Sequence, residues 1–402
     1  MNRLTTSWGE YDLARYPEDP RDQLRAWDAA DDYLLRHLAE GTGERGPVEL
    51  GGSVVVLGDR WGALTTALAG HSPVQITDSF LTQQATRANL DRNAAEAPGE
   101  RPQARLLSAR DTPPDRIDVL LVRVPKNLAF LEDQLRRLAP GLHPGTVVVG
   151  TGMVTEIHTS TLALFERFIG LTRTSLAVRK ARLIFSTPDG SGAASSSASG
   201  SASEADSGRW PLRYALPDDL GAPLAGVTVT NHAGIFCADR LDIGTRFLLR
   251  HLPERGGPDR VVDLGCGNGV VGTAVALANP AARLTFLDES FSAVESARAT
   301  FQDNLGPDAK AEFLVADGLT GAEPESADLV LNNPPFHSHQ ATTDAIAWRM
   351  FTGARHALRP GGELWVIGNR HLGYHVKLRR LFGNCHTVAS DPKFVVLRAV
   401  KR

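Results

Sequence analysis

The chain has 402 residues, of which 42% are hydrophobic and 22% charged, with a net charge of -3. That is enough material for two domains with full cores, and the slightly negative balance excludes a uniformly polybasic nucleic-acid binder, so any phosphate-tracking surface must be local. Three scattered cysteines, Cys237, Cys266 and Cys385, exclude a disulfide framework. The absence of an apolar leader or a membrane-length apolar run makes a cytoplasmic protein the expectation.

Short aliphatic runs alternate with longer amphipathic stretches in both halves. In the first half, strands are expected at Ser53–Leu57, Val74–Thr77, Ala104–Leu107, Ile117–Leu121 and Thr146–Val149. Helices are expected at Ala63–Ala69, after the Val74–Thr77 strand through about Asn93, and over Phe130–Leu138. Gly190–Ser203 then reads GSGAASSSASGSAS, with nothing but Gly, Ala and Ser. Such a stretch cannot bury apolar surface and behaves as flexible coil. A loop or linker over 189–208 is therefore expected between a domain at 1–188 and one at 209–402. In the second half, strands are expected at Arg260–Leu264, Arg283–Leu287, Glu312–Val315, Asp328–Leu331 and Glu363–Ile367, with helices from Val270, from Ser292 and up to Ala357. This alternation builds βαβ units and a parallel sheet, an α/β fold.

The two halves repeat one plan. VVVLGDRWG (Val54–Gly62) recurs as VVDLGCGNG (Val261–Gly269), and Leu142-His143-Pro144-Gly145 recurs as Leu358-Arg359-Pro360-Gly361. Thr77-Asp78-Ser79-Phe80 matches Asp288-Glu289-Ser290-Phe291 more loosely, with Asp78 expected opposite Asp288. A repeat this long is a duplicated domain, not a solenoid.

The chemistry concentrates in the second half. Asp263-Leu264-Gly265-Cys266-Gly267-Asn268-Gly269 follows a strand and precedes a helix, where glycines let backbone approach a ligand. Taken alone it is a weak signal, shared by plain strand–helix turns and dinucleotide sites. The third Gly comes two residues after the second, a spacing that resembles motif I of class I S-adenosylmethionine-dependent methyltransferases. Asp288, with Glu289 beside it, closes the next strand and can accept hydrogen bonds from ribose hydroxyls. Asp317, before Gly318, ends the one after; in that class an acid there reaches the adenine amino group.

Asn333-Pro334-Pro335-Phe336 ends the fourth strand, where open α/β sheets bind ligands. It resembles the (Asn/Asp)-Pro-Pro-aromatic motif of methyltransferases that act on planar nitrogens. A planar amino group has a delocalised, poorly nucleophilic lone pair. The Asn333 side-chain carbonyl and the Pro334 carbonyl can accept its two hydrogens and orient the nitrogen, while Phe336 offers a stacking face for a flipped base. His337 and His339 form an H-x-H pair, but methyl transfer needs no metal and none is expected. Cys266 has no base beside it in sequence and fits a small filler in the loop.

From Asn333 to the C-terminus the likeness is more specific. Asn333–His337, Asp344–Phe351, Gly368–Tyr374, Leu381–Cys385 and Lys393–Leu397 closely resemble the RlmG/RsmC-like bacterial rRNA guanine-N2 methyltransferases, on the large-subunit side of that family, as does Leu241–Phe247 further upstream. The resemblance implies two tandem class I methyltransferase (Rossmann-like) domains, the first degenerate. It implies S-adenosylmethionine as cofactor, in a pocket lined by Asp263, Gly265, Cys266, Gly267, Asn268, Gly269, Asp288, Glu289, Asp317, Gly318 and Asn333. It also implies catalysis at Asn333, Pro334, Pro335 and Phe336 on a ribosomal RNA guanine, 23S rather than 16S, by a monomer acting on naked RNA or an assembly intermediate. The Gly/Ala/Ser segment departs from the family pattern.

The first half departs where chemistry would sit. Val56 replaces the motif I Asp, Arg60 its middle Gly, and Val124-Pro125-Lys126-Asn127 stands where Asn-Pro-Pro-Phe is expected. A basic cluster there (Arg101, Arg105, Arg110, Arg116, Arg123, Lys126, Arg136, Arg137) would suit phosphates. At the other end, Arg370–Arg402 holds eight Lys or Arg against one acid. Its Arg370, His371, Lys377, Arg379 and Arg380, together with Phe336 and His337, are the expected RNA contacts.

The Asn-Pro-Pro-aromatic motif itself leaves adenine N6 and a glutamine amide open as substrates, and a non-catalytic RNA-binding assembly factor is the alternative of another class. Deleting Gly190–Ser203 is expected to leave thermal stability and turnover nearly unchanged; a variant that no longer folds would make that segment structural.

Overall fold

The computed structural model describes residues 3–19, 22–43, 45–94, 103–189, 210–335 and 340–402. Phe336, His337 and His339, Arg101 and the Gly/Ala/Ser segment lie outside them. The chain divides into two compact units, Met1–Ser207 and Gly208–Arg402.

The first unit opens with a hairpin of β1 (Arg3–Thr6) and β2 (Gly9–Asp12), followed by α1 (Ala29–Glu40). Then come β3 (Val54–Leu57), α2 (Ala63–Ala67), β4 (Val74–Thr77), α3 (Phe80–Ala94), β5 (Arg105–Ser108), β6 (Val119–Arg123) and α4 (Leu128–Leu138). β7 (Val147–Met153), α5 (Thr159–Phe168), β8 (Thr172–Thr174) and β9 (Ala181–Ser186) complete it. The second unit repeats the plan: a hairpin of β10 (Leu212–Ala215) and β11 (Thr228–Asn231), α6 (Ile243–Leu249), β12 (Arg260–Leu264), α7 (Val270–Ala278), β13 (Arg283–Asp288) and α8 (Phe291–Leu305). It continues with β14 (Glu312–Val315), β15 (Ala327–Asn332), α9 (Gln340–Ala357), β16 (Leu358–Asn369), α10 (Tyr374–Phe382), β17 (His386–Ser390) and β18 (Phe394–Val400).

The sheet orders are β5-β4-β3-β6-β7-β9-β8 and β14-β13-β12-β15-β16-β18-β17, the same order strand for strand. Five strands of each run parallel, and β9 and β18 enter antiparallel. This is the duplicated α/β architecture expected from the repeat, with the Rossmann-like strand order that the resemblance implies. The central strands are aliphatic because both faces are covered. Val261, Leu329, Leu331 and Ile367 pack on one side with Val271 and Ala274 of α7 and Phe301 of α8. Val262, Leu264, Val330 and Val366 pack on the other with Phe351 of α9 and Leu378 of α10.

Strand pairing corrects two sequence matches between the halves. Val56 pairs with Leu121 and its counterpart Asp263 with Leu331. Two residues beyond those partners stand Arg123 and Asn333, so Arg123, not Val124, takes the place of the motif asparagine, and Pro125 corresponds to Pro335. Likewise Val56 pairs with Gln75 and Asp263 with Phe286, which puts Thr77, not Asp78, opposite Asp288. The local likeness misled because the second unit carries extra residues between these strands, and only the ladder fixes register.

Arg123 is fully buried, and three acids surround it. Its guanidinium reaches Asp28 Oδ2 at 2.7 Å, Glu156 Oε2 at 2.9 Å and Asp31 Oδ1 at 3.3 Å. Arg60, in place of the middle Gly, pairs with the same Asp28 at 3.2 Å and with Glu156. Burial pushes Asp31 up to about 7 against the pull of Arg123. Burial also works to raise Glu156, but the Arg123 charge and its hydrogen bonds hold that carboxyl down at about 2. The first unit has filled its own ligand edge with a charge network.

Several members of the first-unit basic cluster are engaged within the unit. Arg116 pairs with Asp118 at 2.9 Å, Arg136 with Asp133 at 2.9 Å, and Arg137 donates to the Asp111 carbonyl at 2.7 Å. Arg105 and Lys126 stay exposed. Replacing Arg123 by Ala leaves buried acids uncompensated, so Arg123→Ala is expected to cost about 3–5 kcal/mol in the denaturant unfolding of this unit. A loss below 1 kcal/mol would show the network to be dispensable.

Candidate active site

The parallel strands of the second unit deliver their carboxyl ends to one edge of the sheet. β12 brings Gly265–Gly269, β13 Asp288 and Glu289, β14 Asp317 and Gly318, and β15 Asn333 and Pro334. β16 adds Arg370 and His371 at the same edge.

The glycine loop is held from beneath and from both flanks. Asp263 is 3% exposed and accepts the Gly272 N–H of α7 at 2.8 Å, so it shapes the loop from below. Burial pushes its carboxyl up to about 7, the Gly272 N–H opposing and the Asp288 charge adding to the rise. Gly267 donates its N–H to Asp288 Oδ2 at 2.9 Å, while Ser290 N–H binds Asp288 Oδ1 at 3.0 Å. Burial raises Asp288 as well, against those N–H donors. A Cβ on Gly269 would lie 2.6 Å from the Ala297 Cα, so α8 can approach only a glycine there. At Gly267 (φ 54°) a Cβ would meet nothing within 4 Å, which leaves open space on the loop's outer side.

Asn268 turns its amide to Asn231 Oδ1 at 2.9 Å, tying the loop to the β10–β11 hairpin. Cys266 is buried, and burial holds its thiol well above its ordinary range, with Asp288 and Asp263 pushing the same way. That suits the filler role and not a nucleophile. Asp317 is engaged in an ion pair with Arg349 of α9. A ligand amino group arriving at Asp317 therefore meets a carboxylate that already has a cation beside it.

At the fourth strand, Asn332 donates to the Leu264 carbonyl at 2.7 Å and ties β15 to β12. Asn333, one residue further, donates from Nδ2 to Thr245 Oγ1 at 3.0 Å. Its Oδ1 is buried and has no hydrogen-bond partner among the described residues. Pro334 is buried and Pro335 exposed. A buried amide oxygen without a donor is costly unless a ligand supplies one.

The expected RNA contacts on described residues divide. Arg370 and His371 are exposed, with Arg370 Nη1 on the Asp391 carbonyl at 3.2 Å. Arg379 and Arg380 are exposed on α10. Lys377 is tied to Asp344 at 2.6 Å and so presents less net charge. Among the described residues no group of three or more His, Cys, Asp and Glu side chains could hold a metal ion, and no helix is long and apolar enough to cross a membrane.

Residues 1–190 match the sequence profile of the RLMG N-terminal domain, and residues 226–398 that of the methyltransferase small domain. A ribosomal RNA large subunit methyltransferase G of Streptomyces avermitilis is 69% identical over 400 residues, spanning 99% of both chains. One of Stutzerimonas stutzeri is 46% identical over the full length of both. The chain belongs to the ribosomal RNA large subunit methyltransferase G family. Among solved structures, the T. thermophilus 16S rRNA N2 methyltransferase RsmC in complex with AdoMet and guanosine superposes with a TM-score of 0.72 at 19% identity, covering 100% of this chain and 97% of that one, a likeness of fold.

The residues present fit the family's cofactor, S-adenosylmethionine. Open space lies over Gly267, Asp288 closes the neighbouring strand beside that loop where an acid can meet ribose hydroxyls, and the loop glycines permit close approach. Sequence reasoning missed Asn231, Arg349 and the Asn333–Thr245 contact. The Asp242-x-x-Thr245 spacing marks a helix start, but nothing in chain order points from Thr245 to a residue 88 positions away.

Asp263 offers a pH test. An acid whose folded pKa is raised binds an extra proton in the native state, so its stabilising effect is present below its unfolded value and fades as pH rises through about 7. Melting temperatures of the cofactor-free wild type and Asp263→Asn, compared from pH 4 to pH 8, should shift in favour of the variant as pH rises. A difference independent of pH would show that Asp263 does not titrate in this range.

Proposed function

We propose that this member of the rRNA methyltransferase family transfers a methyl group from S-adenosylmethionine to the exocyclic N2 of one guanine in ribosomal RNA, in 23S rather than 16S rRNA. The observation that carries the reading is Asn333: Nδ2 is occupied by Thr245 while the buried Oδ1 has no donor among the described residues. A guanine amino group is a planar donor of the kind that position lacks. The name of the relatives, which specifies the large subunit, favours 23S rRNA.

In this reading the target base is flipped out of its helix onto the carboxyl edge of the sheet. Asn333 Oδ1 and the Pro334 carbonyl accept the two amino hydrogens, and the proline rings keep both acceptors rigid. Bound S-adenosylmethionine would supply an electrophilic sulfonium methyl, the new N–C bond forming as the S–C bond breaks, with S-adenosylhomocysteine leaving and one amino proton passing to solvent. Phe336 and His337 support the base, and Arg370, His371, Lys377, Arg379 and Arg380 track the flanking phosphates. The first unit, with Arg123 in place of Asn333, is non-catalytic and serves structure or RNA contact. The protein works as a cytoplasmic monomer.

Asn333→Ala should abolish methyl transfer, a loss of at least about 100-fold, while S-adenosylmethionine binding by calorimetry stays within a few-fold of wild type. Primer extension and mass spectrometry of rRNA from cells with and without the protein should show one N2-methylguanine that depends on it. A dependent N6-methyladenine, a dependent methylglutamine in a release factor, or no change in rRNA would each overturn the guanine assignment.

A further inference from the structure

The amide of Asn333 can do its proposed work in only one of its two orientations. With Oδ1 toward the substrate it accepts the amino group; turned over, it presents Nδ2, a donor facing a donor. Oxygen and nitrogen of a side-chain amide have nearly the same shape, so the surroundings must choose.

The structure supplies a chooser. Asp242 caps α6, and its Oδ2 accepts both the Thr245 N–H at 2.8 Å and the Thr245 hydroxyl at 3.2 Å. A carboxylate only accepts, so the Thr245 hydroxyl proton is committed to Asp242. The Thr245 oxygen then has only lone pairs left for Asn333, which it reaches at 3.0 Å. It can accept Nδ2–H but cannot donate to Oδ1, so Oδ1 must turn the other way. Thr245 is buried, which keeps water from substituting for it. The approach is tight: a Cβ on Gly244 would come within 3.1 Å of both Asp242 Oδ2 and a Phe394 ring carbon. We propose that Thr245, polarised by Asp242, is a positioning residue that sets the orientation of the Asn333 amide, so that its carbonyl faces the amino group to be methylated.

The inference rests on the role given to Asn333, and the experiment separates the two. Single-turnover transfer to rRNA and calorimetric S-adenosylmethionine binding are measured for Asn333→Ala, Thr245→Val, Thr245→Ser and Asp242→Asn. Thr245→Val keeps the shape and loses the hydroxyl. It should slow transfer by about 10- to 100-fold, the range for a lost oriented hydrogen bond in a buried site, with cofactor affinity and KM for RNA within about threefold. Thr245→Ser restores the hydroxyl and should recover most of the rate. Asp242→Asn still caps the helix, but its neutral amide oxygen holds the hydroxyl proton more weakly than a carboxylate does, and the variant should fall between them. If Thr245→Val does not fold, the Ser and Asn variants carry the test: a slow Thr245→Ser, or an Asp242→Asn that transfers at the wild-type rate, overturns the proposal. Wild-type transfer by Thr245→Val with an inactive Asn333→Ala overturns the orienting role alone. Wild-type transfer by Asn333→Ala overturns the amino-holding role and this inference with it.

Discussion

The pairing of β12 with its two parallel neighbours is the constraint on which the site depends. Its ladders to β13 and β15 fix which residue of each strand is the last before the chain turns away. A shift by one residue would exchange the two faces of a strand and move its end relative to its neighbours. The packing on both faces resists that shift, because slipping would turn Val262, Leu264 and Val330 away from α9 and α10 toward α7 and α8, where Val261, Leu329 and Leu331 now fit. The candidate site is built from groups the core cannot use: the loop glycines and Asn333 just past strand ends, and Asp288 as the last residue of β13.

The two units show the same scaffold with opposite contents. In the second, strand ends leave open space above Gly267 and, among the described residues, a buried oxygen without a donor on Asn333. In the first, Arg60 and Arg123 take the corresponding places and bind Asp28, Asp31 and Glu156. A buried guanidinium needs such partners, since an unpaired charge at that depth is costly. Losing the ligand site thus came with a closed internal network, and the fold survived because the aliphatic strands, not the site residues, hold the sheet together.

Much of this was legible in the chain. The strands over Val74–Thr77, Arg260–Leu264 and Glu312–Val315 were expected where they stand, because short apolar runs spaced between helical stretches leave little choice. The hairpins β1–β2 and β10–β11, the seven-residue α6 and the antiparallel strands β17 and β18 were not. Apart from β18, which is aliphatic and largely buried, they are short and polar or half-exposed, so they carry no clean period, and tertiary packing holds them in place. The degenerate first copy was recognisable from Val56 and Arg60, yet the residue replacing Asn333 was placed one position off.

Composition, repeat and motif spacing determined that this is a duplicated α/β protein with one working edge, because glycine loops and proline-locked turns are local features written in consecutive residues. Only the tertiary structure decided that Arg123 stands in for Asn333, that Arg349 guards Asp317, and that Thr245 grips Asn333. Each of those facts depends on strand register or on contacts between residues far apart in the chain, and such contacts form only when the sheet has closed and brought its strand ends together.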